Sequence, residues 1–534
     1  MTSNRPPTRS GRSSSLSKCD QVLDRVSMYR LVTLLLCVLA AIAFLFSALG
    51  VLDRSVFPLG GMALALIVLL SASVAASRLF GLLFRVRPHT ESAVITALLM
   101  WFLYWPTTSA SMLVWLAGAA VAANASKYLL AWRGRHVFNP AAVGPVLVVI
   151  IQELARIDPA DRLYTTWWVA SEPLLPFVLV AALLVLRRTH RIALGVVFVV
   201  VAAAALIGSL IAQGTGAGEA IRQTAYSYPL VFLAGFMLSE PLTLPPRRWQ
   251  QLSAAALAGI VVALPVLWPA LTGHPFGFWA FTSTTELALL AANLVGFACG
   301  QRRGIRLQLR DKQEIAASTW EFTFEPVRPV RFAPGQYLEL HVPHAGADRR
   351  GTRRVFSISS HPDDPELTIA LRVPQQPSSF KQALMELHPG DQVRATTVSG
   401  DFVLPDDAPL LLVAGGIGIT PFVSALSAPA DGRRPADAVL AYGVPDGDDI
   451  AYRDRLVAAG LPVVVVSPTA PADLPAHWSH VAGTQIDADA LAAAVPDLDT
   501  RRAYISGPPA MVHTVRAALR PHVTGTRSDY FSGY

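Results

Sequence analysis

Long apolar stretches in the first 300 residues constrain the fold of this chain more than any other feature of its sequence. A helix that crosses a bilayer needs roughly 20 apolar residues, and the first run exceeds the core of a cleaved signal peptide. About ten candidate spans lie near residues 28–50, 56–77, 90–106, 109–131, 138–154, 172–187, 192–213, 227–240, 251–271 and 279–299. We therefore expect a polytopic α-helical membrane domain of about ten helices over residues 28–300, behind a basic disordered tail over residues 1–27.

The composition indicates a chain that is divided between two solvents. Hydrophobic residues make up 52 % of the chain and charged residues only 15 %, with a mean hydropathy of +0.43. A soluble enzyme contains about 25 % charged residues, so much of this chain is expected in lipid. Most acidic residues follow residue 300, and 534 residues are too many for one core. We expect several domains, with the soluble ones after residue 300.

Basic residues in the short loops between apolar runs predict the orientation in the membrane. The net charge of +7 and the pI near 9.5 arise from these loops, so we expect lipid and not nucleic acid as the partner. With a cytoplasmic N-terminus, five arginine-containing loops lie inside, as the positive-inside rule requires. These loops contain Arg85 and Arg87, Arg133 and Arg135, Arg187 to Arg191, Arg247 and Arg248, and Arg302 to Arg306. We expect a multi-pass protein of the cell membrane whose soluble domains are cytoplasmic.

Residues that would bind a metal or a cluster are sparse. Cys19, Cys37 and Cys299 lie far apart and form no CxxC motif, which argues against disulfides and a protein-bound iron–sulfur cluster. The histidines of the membrane half lie near loop ends and lack the spacing of intramembrane haem ligands. No metal site is predicted, and a haem-containing reductase is disfavoured.

Two stretches of the membrane half are more polar than a lipid-facing helix. SKYLLAWRGRHVFNPAAVG (126–144) leads into a helix at an Asn-Pro pair, for which capping is the alternative explanation. GFMLSEPLTLPPRRWQ (235–250) has a glutamate at a membrane edge, where an ion pair with a nearby arginine is the alternative. Ionisable groups at such a depth are candidate functional residues. The candidates are Lys127, His136, Asn139 and Glu240.

These stretches and ELALLAANLVGF (286–297) resemble the membrane subunits of the Na⁺-translocating NADH:quinone oxidoreductase (its B subunit) and of the Rnf complex (its D subunit). RHVFNPAA (135–142) is similar to the family motif KHxFNPAA, and GFMLSEPLTLP (235–245) is similar to FFMxTDPxTxP. The resemblance covers residues 90–300. It implies electron transfer that involves a quinone or a bound flavin.

One departure from that family concerns its flavin. The SGAT motif that carries covalent flavin is absent from the corresponding stretch, DRLYTTWWVASEPLL (161–175). A non-covalent FMN or riboflavin, or a quinone, is therefore the ligand implied for the membrane domain. Trp167 and Trp168 in this stretch predict an anchor at the membrane interface.

After residue 305 the pattern changes to short alternating strands separated by turns. This spacing predicts an antiparallel β-barrel over residues 305–405. Strand–helix alternation follows and predicts an α/β domain with a parallel sheet over residues 406–534. GGIGITP (415–421) and AYISGPPAMV (503–512) place glycine turns after two apolar strands. Such turns expose backbone N–H groups to phosphates, and nucleotides bind at the carboxyl ends of parallel strands.

Residues 305–534 resemble the ferredoxin–NADP⁺ reductase family of FAD- and NAD(P)H-dependent oxidoreductases. RRVFSISS (353–360) is similar to the family motif RxYSxxS, with Phe356 in place of tyrosine, and the two glycine turns match its nicotinamide-nucleotide turns. The resemblance implies an FAD-binding barrel and an NAD(P)-binding α/β domain. Arg354 suits a pyrophosphate because a guanidinium is planar, charged and bidentate. Phe356 offers a flat face to the isoalloxazine ring.

The resemblance implies three catalytic residues: Ser357 near flavin N5, Ser506 beside the nicotinamide C4, and Tyr534. Tyr534 or Phe531 would cover the flavin. Simple packing is the alternative role for these C-terminal aromatic residues. The other predicted contacts on the flavin side are Ser359, Ser360, Arg372, Val373, Ser378 and Ser379, where Ser378 or Ser379 caps a short helix. Those on the nicotinamide side are Gly415, Gly416, Gly418, Thr420, Pro421, Gly507, Pro508, Pro509 and Met511.

These features predict a membrane-bound flavoprotein oxidoreductase that moves hydride from cytoplasmic NAD(P)H to FAD and then electrons into the membrane domain. The acidic residues of AYGVPDGDD (441–449) favour NADH over NADPH, because they would repel a 2′-phosphate. The expected acceptor is a quinone, a bound flavin or another electron carrier, including a redox partner protein. A redox-driven or redox-gated transporter of ions or small molecules is the alternative function. A membrane half that only anchors the reductase is a third interpretation.

Overall fold

The chain divides into two compact units at the boundary between residues 302 and 303, close to the predicted end of the membrane domain. The computed structural model describes residues 28–86, 88, 90–132, 135–277, 284–301, 304–348, 351–396, 398–405, 408–427 and 437–530. The predicted tail over residues 1–27 lies outside this range.

The first unit is built from helices. Within the described residues, five are long and apolar enough to cross a membrane: Met28–Leu49, Leu59–Leu83, Ala110–Leu129, Ile192–Ala212 and Arg248–Thr272. Shorter helices are Thr90–Leu103, Pro140–Leu154, Leu175–Arg188, Ala217–Ser227, Leu230–Phe232 and Thr285–Gly296, and the last two continue as π-helices over Leu233–Leu238 and Phe297–Gln301. The count of about ten spanning helices stays a prediction. Ala217–Ser227 was not predicted, because its polar sequence lacks an apolar run.

Small residues let the helices of this unit approach closely. A Cβ on Gly144 would lie 2.6 Å from the carbonyl oxygen of Ala119, and a Cβ on Gly235 would overlap Ala182. Such contacts are typical of helix pairs in membranes, where packing replaces the hydrophobic effect. Gly144 and Gly235 belong to the two polar stretches, so these close contacts also hold those stretches in place within the unit.

The second unit begins with an antiparallel sheet. Its strands are β1 (Ile305–Ala316), β2 (Thr319–Pro326), β3 (Tyr337–His341), β4 (Arg353–Ser357), β5 (Leu367–Arg372) and β6 (Gln392–Ala395). They pair in the order β4-β3-β6-β1-β2-β5, around a core that contains Phe322, Phe324 and Leu338. The two edges meet at one isolated bridge between Ile358 and Ile369. Closure into a full barrel stays a prediction.

A parallel sheet follows, as the strand–helix alternation predicted. Its strands are β7 (Leu410–Gly415), β8 (Ala438–Gly443), β9 (Val463–Ser467), β10 (Trp478–Ala482), β11 (Arg502–Gly507) and β12 (Gly525–Tyr530). They pair in the order β10-β9-β8-β7-β11-β12. The intervening helices are Thr420–Leu426, Arg453–Ala459, Ala488–Ala494 and Pro509–Leu519.

Candidate functional site

The two glycine turns lie side by side at the carboxyl edge of the parallel sheet. The chain adds β8, β9 and β10 on one side of β7 and then returns to place β11 and β12 on its other side. The strand order therefore reverses between β7 and β11, which is where open parallel sheets bind nucleotides. A Cβ on Gly418 would lie 2.6 Å from the Cα of Gly507, so the two turns are packed directly against each other.

The predicted glycines differ in what surrounds them. Gly416 has a φ of +53° and open space where a Cβ would lie, so its backbone can approach a ligand. A Cβ on Gly415 would overlap the sulfur of Met511, and Gly418 packs on the neighbouring turn. The Thr420 hydroxyl donates to the carbonyl oxygen of Ile417 at 3.1 Å. These contacts stabilise the turn itself and leave Gly416 as the most open position of the motif.

Prolines shape the entry into both following helices. Pro421 lies in the first turn of Thr420–Leu426, and Pro509 begins Pro509–Leu519 with Pro508 as its N-cap. Proline suits these positions because the first N–H groups of a helix have no partner within it. The turns are thereby held in a fixed conformation at the carboxyl edge.

Ser506 is the last residue but one of β11 and lies at this switch point. Its side chain is fully buried, and its Oγ has no hydrogen-bond partner among the described residues. A buried hydroxyl without a partner is costly, so this atom fits a polar group of a ligand. The site that the sequence predicted for the nicotinamide end therefore contains an available hydrogen-bonding group.

Asp529 lies beside the predicted site residue Ser506 and was missed by the sequence interpretation. It pairs with Ser506 across β11 and β12, and Ser506 pairs with Ala414 of β7, so all three share one face of the sheet. Burial raises the pKa of the Asp529 carboxyl from 3.8 to about 6. The signal was an acidic residue at the carboxyl end of the last strand, within a segment considered only for its aromatic residues.

The octet RRVFSISS is divided between the two faces of β4. Arg354 and Phe356 pair with Leu340 and Leu338 on the inner face, whereas Arg353 pairs with His341 on the outer face. This alternation follows from the period of two in a strand. The octet therefore presents one arginine to each side of the antiparallel sheet.

Arg354 is buried in a defined set of contacts. Its guanidinium donates to the carbonyl oxygen of Gly351 at 3.0 Å, lies 3.4 Å from Asp348 Oδ1, and stands 5.1 Å from the centre of the Phe380 ring. The Ser379 hydroxyl accepts a hydrogen bond from the Asp348 amide at 2.9 Å. The structure thus brings Arg354 next to the predicted helix cap and adds Asp348, which the sequence interpretation missed.

Ser378 is the N-cap of the helix Ser379–Met385, with Lys381 N at 3.4 Å from its hydroxyl. Of the two serines proposed for this role, Ser378 takes it. The backbone of Arg372 and Val373 is already engaged, since the Arg372 carbonyl accepts from Lys381 Nζ at 2.5 Å and the Val373 amide donates to the Ser318 carbonyl at 2.7 Å. Contacts of these two residues with a cofactor stay predictions.

Phe356 packs within the core of the antiparallel sheet. Its ring is 5.9 Å from that of Phe380 and the residue is 9 % exposed. Most of the Phe356 surface is therefore packed against residues within the core of the sheet. Its stacking on a flavin ring stays a prediction.

Ser357, at the end of β4, matches Ser506 in character. It is 2 % exposed, and its Oγ has no hydrogen-bond partner among the described residues. The hydroxyls of Ser359 and Ser360, by contrast, bond within the sheet to the Thr368 hydroxyl at 2.7 Å and the Thr368 amide at 3.1 Å. Of the octet's three serines, Ser357 alone keeps an available hydroxyl within the described structure.

A direct hydrogen bond joins the octet to the first glycine motif. The Ser424 hydroxyl, on the helix that follows GGIGI, donates to the carbonyl oxygen of Ser360 at 2.7 Å, and both residues are buried. The two sheets therefore meet where the sequence placed the two cofactor sites. Phe531 and Tyr534, predicted to cover the flavin, lie outside the described residues.

The polar stretches of the helical unit also come together. His136 Nε2 and Asn139 Nδ2 lie 2.9 Å and 3.1 Å from the two carboxylate oxygens of Glu240, which follows the π-helix Leu233–Leu238. The Asn139 side chain caps the helix Pro140–Leu154, and its backbone N–H donates to Asn293 Oδ1 at 2.7 Å. The structure thus confirms capping by Asn139, which also contacts Glu240, and a functional role of this contact stays a prediction.

Lys127 lies apart from these direct contacts. Its ammonium donates to the hydroxyl and carbonyl of Ser92 and to Asn124 Oδ1, at 3.0 to 3.1 Å. Asn293 was missed because an asparagine within an apolar helix resembles an ordinary packing residue. The hydrogen bond between Asn293 and Asn139 is seen only in the structure.

The expectation that Trp167 and Trp168 anchor a membrane interface is wrong. Both are buried. The Trp167 indole donates to Glu286 Oε1 at 2.9 Å, and the Trp168 indole donates to the carbonyl oxygens of Trp101 and Tyr104, each at 2.9 Å. Indole N–H groups are commonly placed at interfaces because they need a polar partner. Here internal acceptors provide that partner.

An antiparallel sheet joined to a parallel sheet with paired glycine turns at its switch point defines a nucleotide-dependent reductase of two domains. Residues 412–517 match the family model for the oxidoreductase NAD-binding domain. The electron transfer component of toluate 1,2-dioxygenase from Pseudomonas putida is 30 % identical over 244 residues, which cover 44 % of this chain and 68 % of that protein. The reductase subunit of aromatic O-demethylase from Amycolatopsis is 30 % identical over 42 % of this chain and 68 % of its own length. A crystal structure of an Amycolatopsis cytochrome P450 reductase aligns with a TM-score of 0.36 and 26 % identity, over 43 % of this chain and 71 % of that chain.

The chain belongs to the NAD(P)H-dependent, FAD-containing oxidoreductases of the ferredoxin–NADP⁺ reductase type. The unpartnered hydroxyls of Ser357 and Ser506 and the guanidinium of Arg354 fit the polar groups of FAD and of a nicotinamide nucleotide. The five long apolar helices among the described residues indicate that this reductase is associated with a membrane.

Proposed function

We propose that this protein oxidises cytoplasmic NADH and delivers the electrons to an acceptor in its own membrane domain, either a quinone or a non-covalent flavin. The observation that carries the proposal is covalent continuity between the reductase and the helical unit. The helical segment Thr285–Gln301 ends five residues before Arg306, which lies in β1. A reductase tethered this closely needs no diffusing partner to reach the membrane.

The residues of the reductase contribute charge and hydrogen bonds to the binding of FAD and the nicotinamide nucleotide. FAD, when bound, supplies a centre that accepts a hydride and releases electrons singly. Arg354 provides the charge that compensates a pyrophosphate, beside the capped helix Ser379–Met385. Ser357 and Ser506 offer the hydroxyls that orient the two rings, so the rate depends on positioning more than on acid–base chemistry.

The preference for NADH is supported by carboxylates that follow β8. Thr469 and the Asp448 amide hold the Asp446 carboxylate at 2.7 and 3.3 Å, and the Thr469 hydroxyl lowers the pKa of Asp446. Asp448 accepts from the Ala472 amide at 2.8 Å. Two fixed negative charges after this strand oppose the 2′-phosphate of NADPH.

The cluster of His136, Asn139 and Glu240 supports a role for the helical unit beyond anchoring. A carboxylate and an imidazole in contact, next to a π-helix, are typical of a functional site in a membrane protein. The resemblance to redox-driven ion pumps makes ion transport the second candidate function of this cluster. The relatives named above are an electron transfer component of a dioxygenase and a reductase subunit of an O-demethylase. A soluble redox partner protein is therefore the competing acceptor.

Electron transfer from NADH to two acceptors tests the proposal. The full chain in nanodiscs is expected to reduce both ferricyanide and a ubiquinone analogue. Glu240→Gln should keep the ferricyanide rate and lower the quinone rate, because the variant preserves hydrogen bonding but removes the charge. Absent quinone reduction would refute a quinone as the acceptor, and a quinone rate that Glu240→Gln leaves unchanged would refute a role of the Glu240 charge in its reduction. Counter-ion dependence of NADH oxidation in sealed vesicles separates an ion pump from a plain reductase.

A further inference from the structure

Four basic side chains form a row across the antiparallel sheet. Arg353 pairs with His341, His341 with Arg394, and Arg394 with Arg306, across β4, β3, β6 and β1. Paired residues on neighbouring strands share a face, and strands lie about 4.8 Å apart, so the row is about 14 Å long. We call these four residues the basic row.

The basic row lies on the outer face of the sheet. Arg306 and Arg394 are exposed, whereas their chain neighbours Leu307 and Ala395 are buried. Arg353 and His341 are half-buried. The row is therefore available to solvent and to whatever lies against this face.

Arg353 has a carboxylate partner. Arg353 Nη1 lies 3.4 Å from Glu339 Oε2. In the part of the chain that the structure describes, neither Arg306 nor Arg394 forms an ion pair. Burial, and then the charges of Arg353 and Arg394, lower the pKa of His341 to about 4. Arg394 and Arg306 are like charges opposite one another, which destabilises a sheet, so this pair indicates an anion outside the chain.

The position of the row along the chain indicates which anion this is. Arg306 follows the end of the last apolar segment, at Gln301, by five residues, so it lies within about 18 Å of that helix end for any arrangement of the two units. Two further arginines, Arg302 and Arg303, lie between Gln301 and Arg306 in the sequence. Basic clusters directly beside a membrane helix are typical contacts of anionic lipids.

We propose that the basic row binds the anionic phospholipid headgroups of the cytoplasmic leaflet and holds the antiparallel sheet against the membrane. This inference rests on the proposed placement of the helices in the membrane. A specific protein partner is less favoured, because protein interfaces are centred on buried aromatic or aliphatic anchors, and the row contains three arginines and a histidine.

Arginine footprinting on the intact protein tests the proposal. The full chain is placed in nanodiscs of phosphatidylcholine alone or of phosphatidylcholine with phosphatidylglycerol, and phenylglyoxal modification of each arginine is followed by mass spectrometry. Arg306 and Arg394 should react at least about threefold more slowly in the anionic nanodiscs at about 0.1 M salt, and the difference should vanish at about 1 M salt. Arg516 and Arg520, on and after the exposed face of Pro509–Leu519, should react equally in both.

A double variant separates the row from a general lipid effect. Arg306→Gln with Arg394→Gln should abolish the lipid-dependent protection of Arg353, whereas Arg516→Gln with Arg520→Gln should leave the protection of the row intact. FAD content per chain checks that each variant is folded. Equal reactivity of the row in both lipids overturns the proposal, as does protection that appears only with an added acidic protein. Neither result depends on quinone reduction, so failure here is distinct from failure of the proposed function.

Discussion

Arg455 forms a bidentate ion pair with Glu321, with nitrogen–oxygen distances of 3.0 and 2.7 Å. Glu321 belongs to β2 of the antiparallel sheet and Arg455 to the helix after β8, so the pair joins the two sheets of the reductase. The Glu321 side chain is 6 % exposed, whereas that of Arg455 is 40 % exposed. The carboxylate therefore depends on the arginine for compensation more than the arginine depends on the carboxylate.

Arg455→Ala should destabilise the reductase by about 2 kcal/mol, because it leaves a buried carboxylate without its cation. Thermal release of FAD fluorescence should shift down by roughly 4 to 8 °C. Arg453→Ala is the matched control two residues away, since Arg453 pairs with the exposed Asp473. That pair should contribute about 0.5 kcal/mol. Equal shifts for the two variants would show that the Glu321 pair does not hold the sheets together.

Arg354→Ala should lose FAD, whereas Arg353→Ala should retain it. The two arginines are adjacent in sequence but lie on opposite faces of β4, and only Arg354 is buried beside the capped helix Ser379–Met385. Loss of a buried charged hydrogen-bonding group corresponds to roughly 30- to 100-fold weaker binding. FAD titration by fluorescence measures the difference. If both variants bind FAD alike, the inner face of β4 is not the pyrophosphate site.

Ser357→Ala and Ser506→Ala should each slow NADH oxidation by about tenfold, the effect of one lost hydrogen bond. Their hydroxyls are buried without partners in the described structure, so neither substitution breaks an internal bond. Stability should therefore be nearly unchanged. Ser427→Ala is the control, because Ser427 Oγ is likewise buried without a partner but lies at the end of Thr420–Leu426. Single-turnover reduction of the flavin measures the rates.

The sequence predicts four strands of the parallel sheet, β7, β8, β9 and β11, because each is an apolar run followed by a turn, whereas the edge strands β10 and β12 are too polar for this pattern. The pairing of GGIGITP with SGPPAM was predictable, since carboxyl ends of parallel strands share one edge. What each residue does there was less predictable. Gly415 and Gly418 were assigned to a ligand, yet each is required for packing between the turns. A motif specifies the backbone path and leaves open which atoms remain available.

Long-range contacts account for most of what the sequence did not predict. The pairing of Asp529 with Ser506, and of Arg306 with Arg394, depends on strand register, which local patterns do not encode. The buried Trp167 was misassigned because its acceptor, Glu286, is 119 residues away. In the helical unit, the sequence did identify His136, Asn139 and Glu240 as unusual, and the structure places them in contact.

Asp529→Asn should change how stability depends on pH. The folded protein holds the Asp529 proton up to about pH 6, whereas the unfolded chain releases it near 3.8, so folding loses stability as the pH rises through this window. The variant removes this loss and should be more stable than wild type above about pH 6, by on the order of 2 kcal/mol, with the difference vanishing towards pH 4.

Thermal midpoints measured across this pH range give the comparison. Asp497→Asn is the control of opposite sign, since hydrogen bonds from Arg501 lower the pKa of Asp497. That variant should be less stable throughout, with a curve parallel to wild type above about pH 5. A curve for Asp529→Asn that is parallel to wild type would mean that Asp529 titrates near its ordinary value.

Asn139 distinguishes helix capping from a functional polar site, because Asn139→Asp and Asn139→Ala change the two roles differently. Aspartate caps a helix as well as asparagine does, so Asn139→Asp keeps the bond to the Ala141 amide, which is 3.0 Å long here. It also replaces the donor to Glu240 with a second carboxylate. Asn139→Ala removes the cap and should cost about 1 kcal/mol of stability. If the cluster serves electron or ion movement, Asn139→Asp should lower the quinone rate more than Asn139→Ala does, because it places a second carboxylate beside Glu240. A quinone rate that is lower in Asn139→Ala than in Asn139→Asp would show that Asn139 acts only as a helix cap.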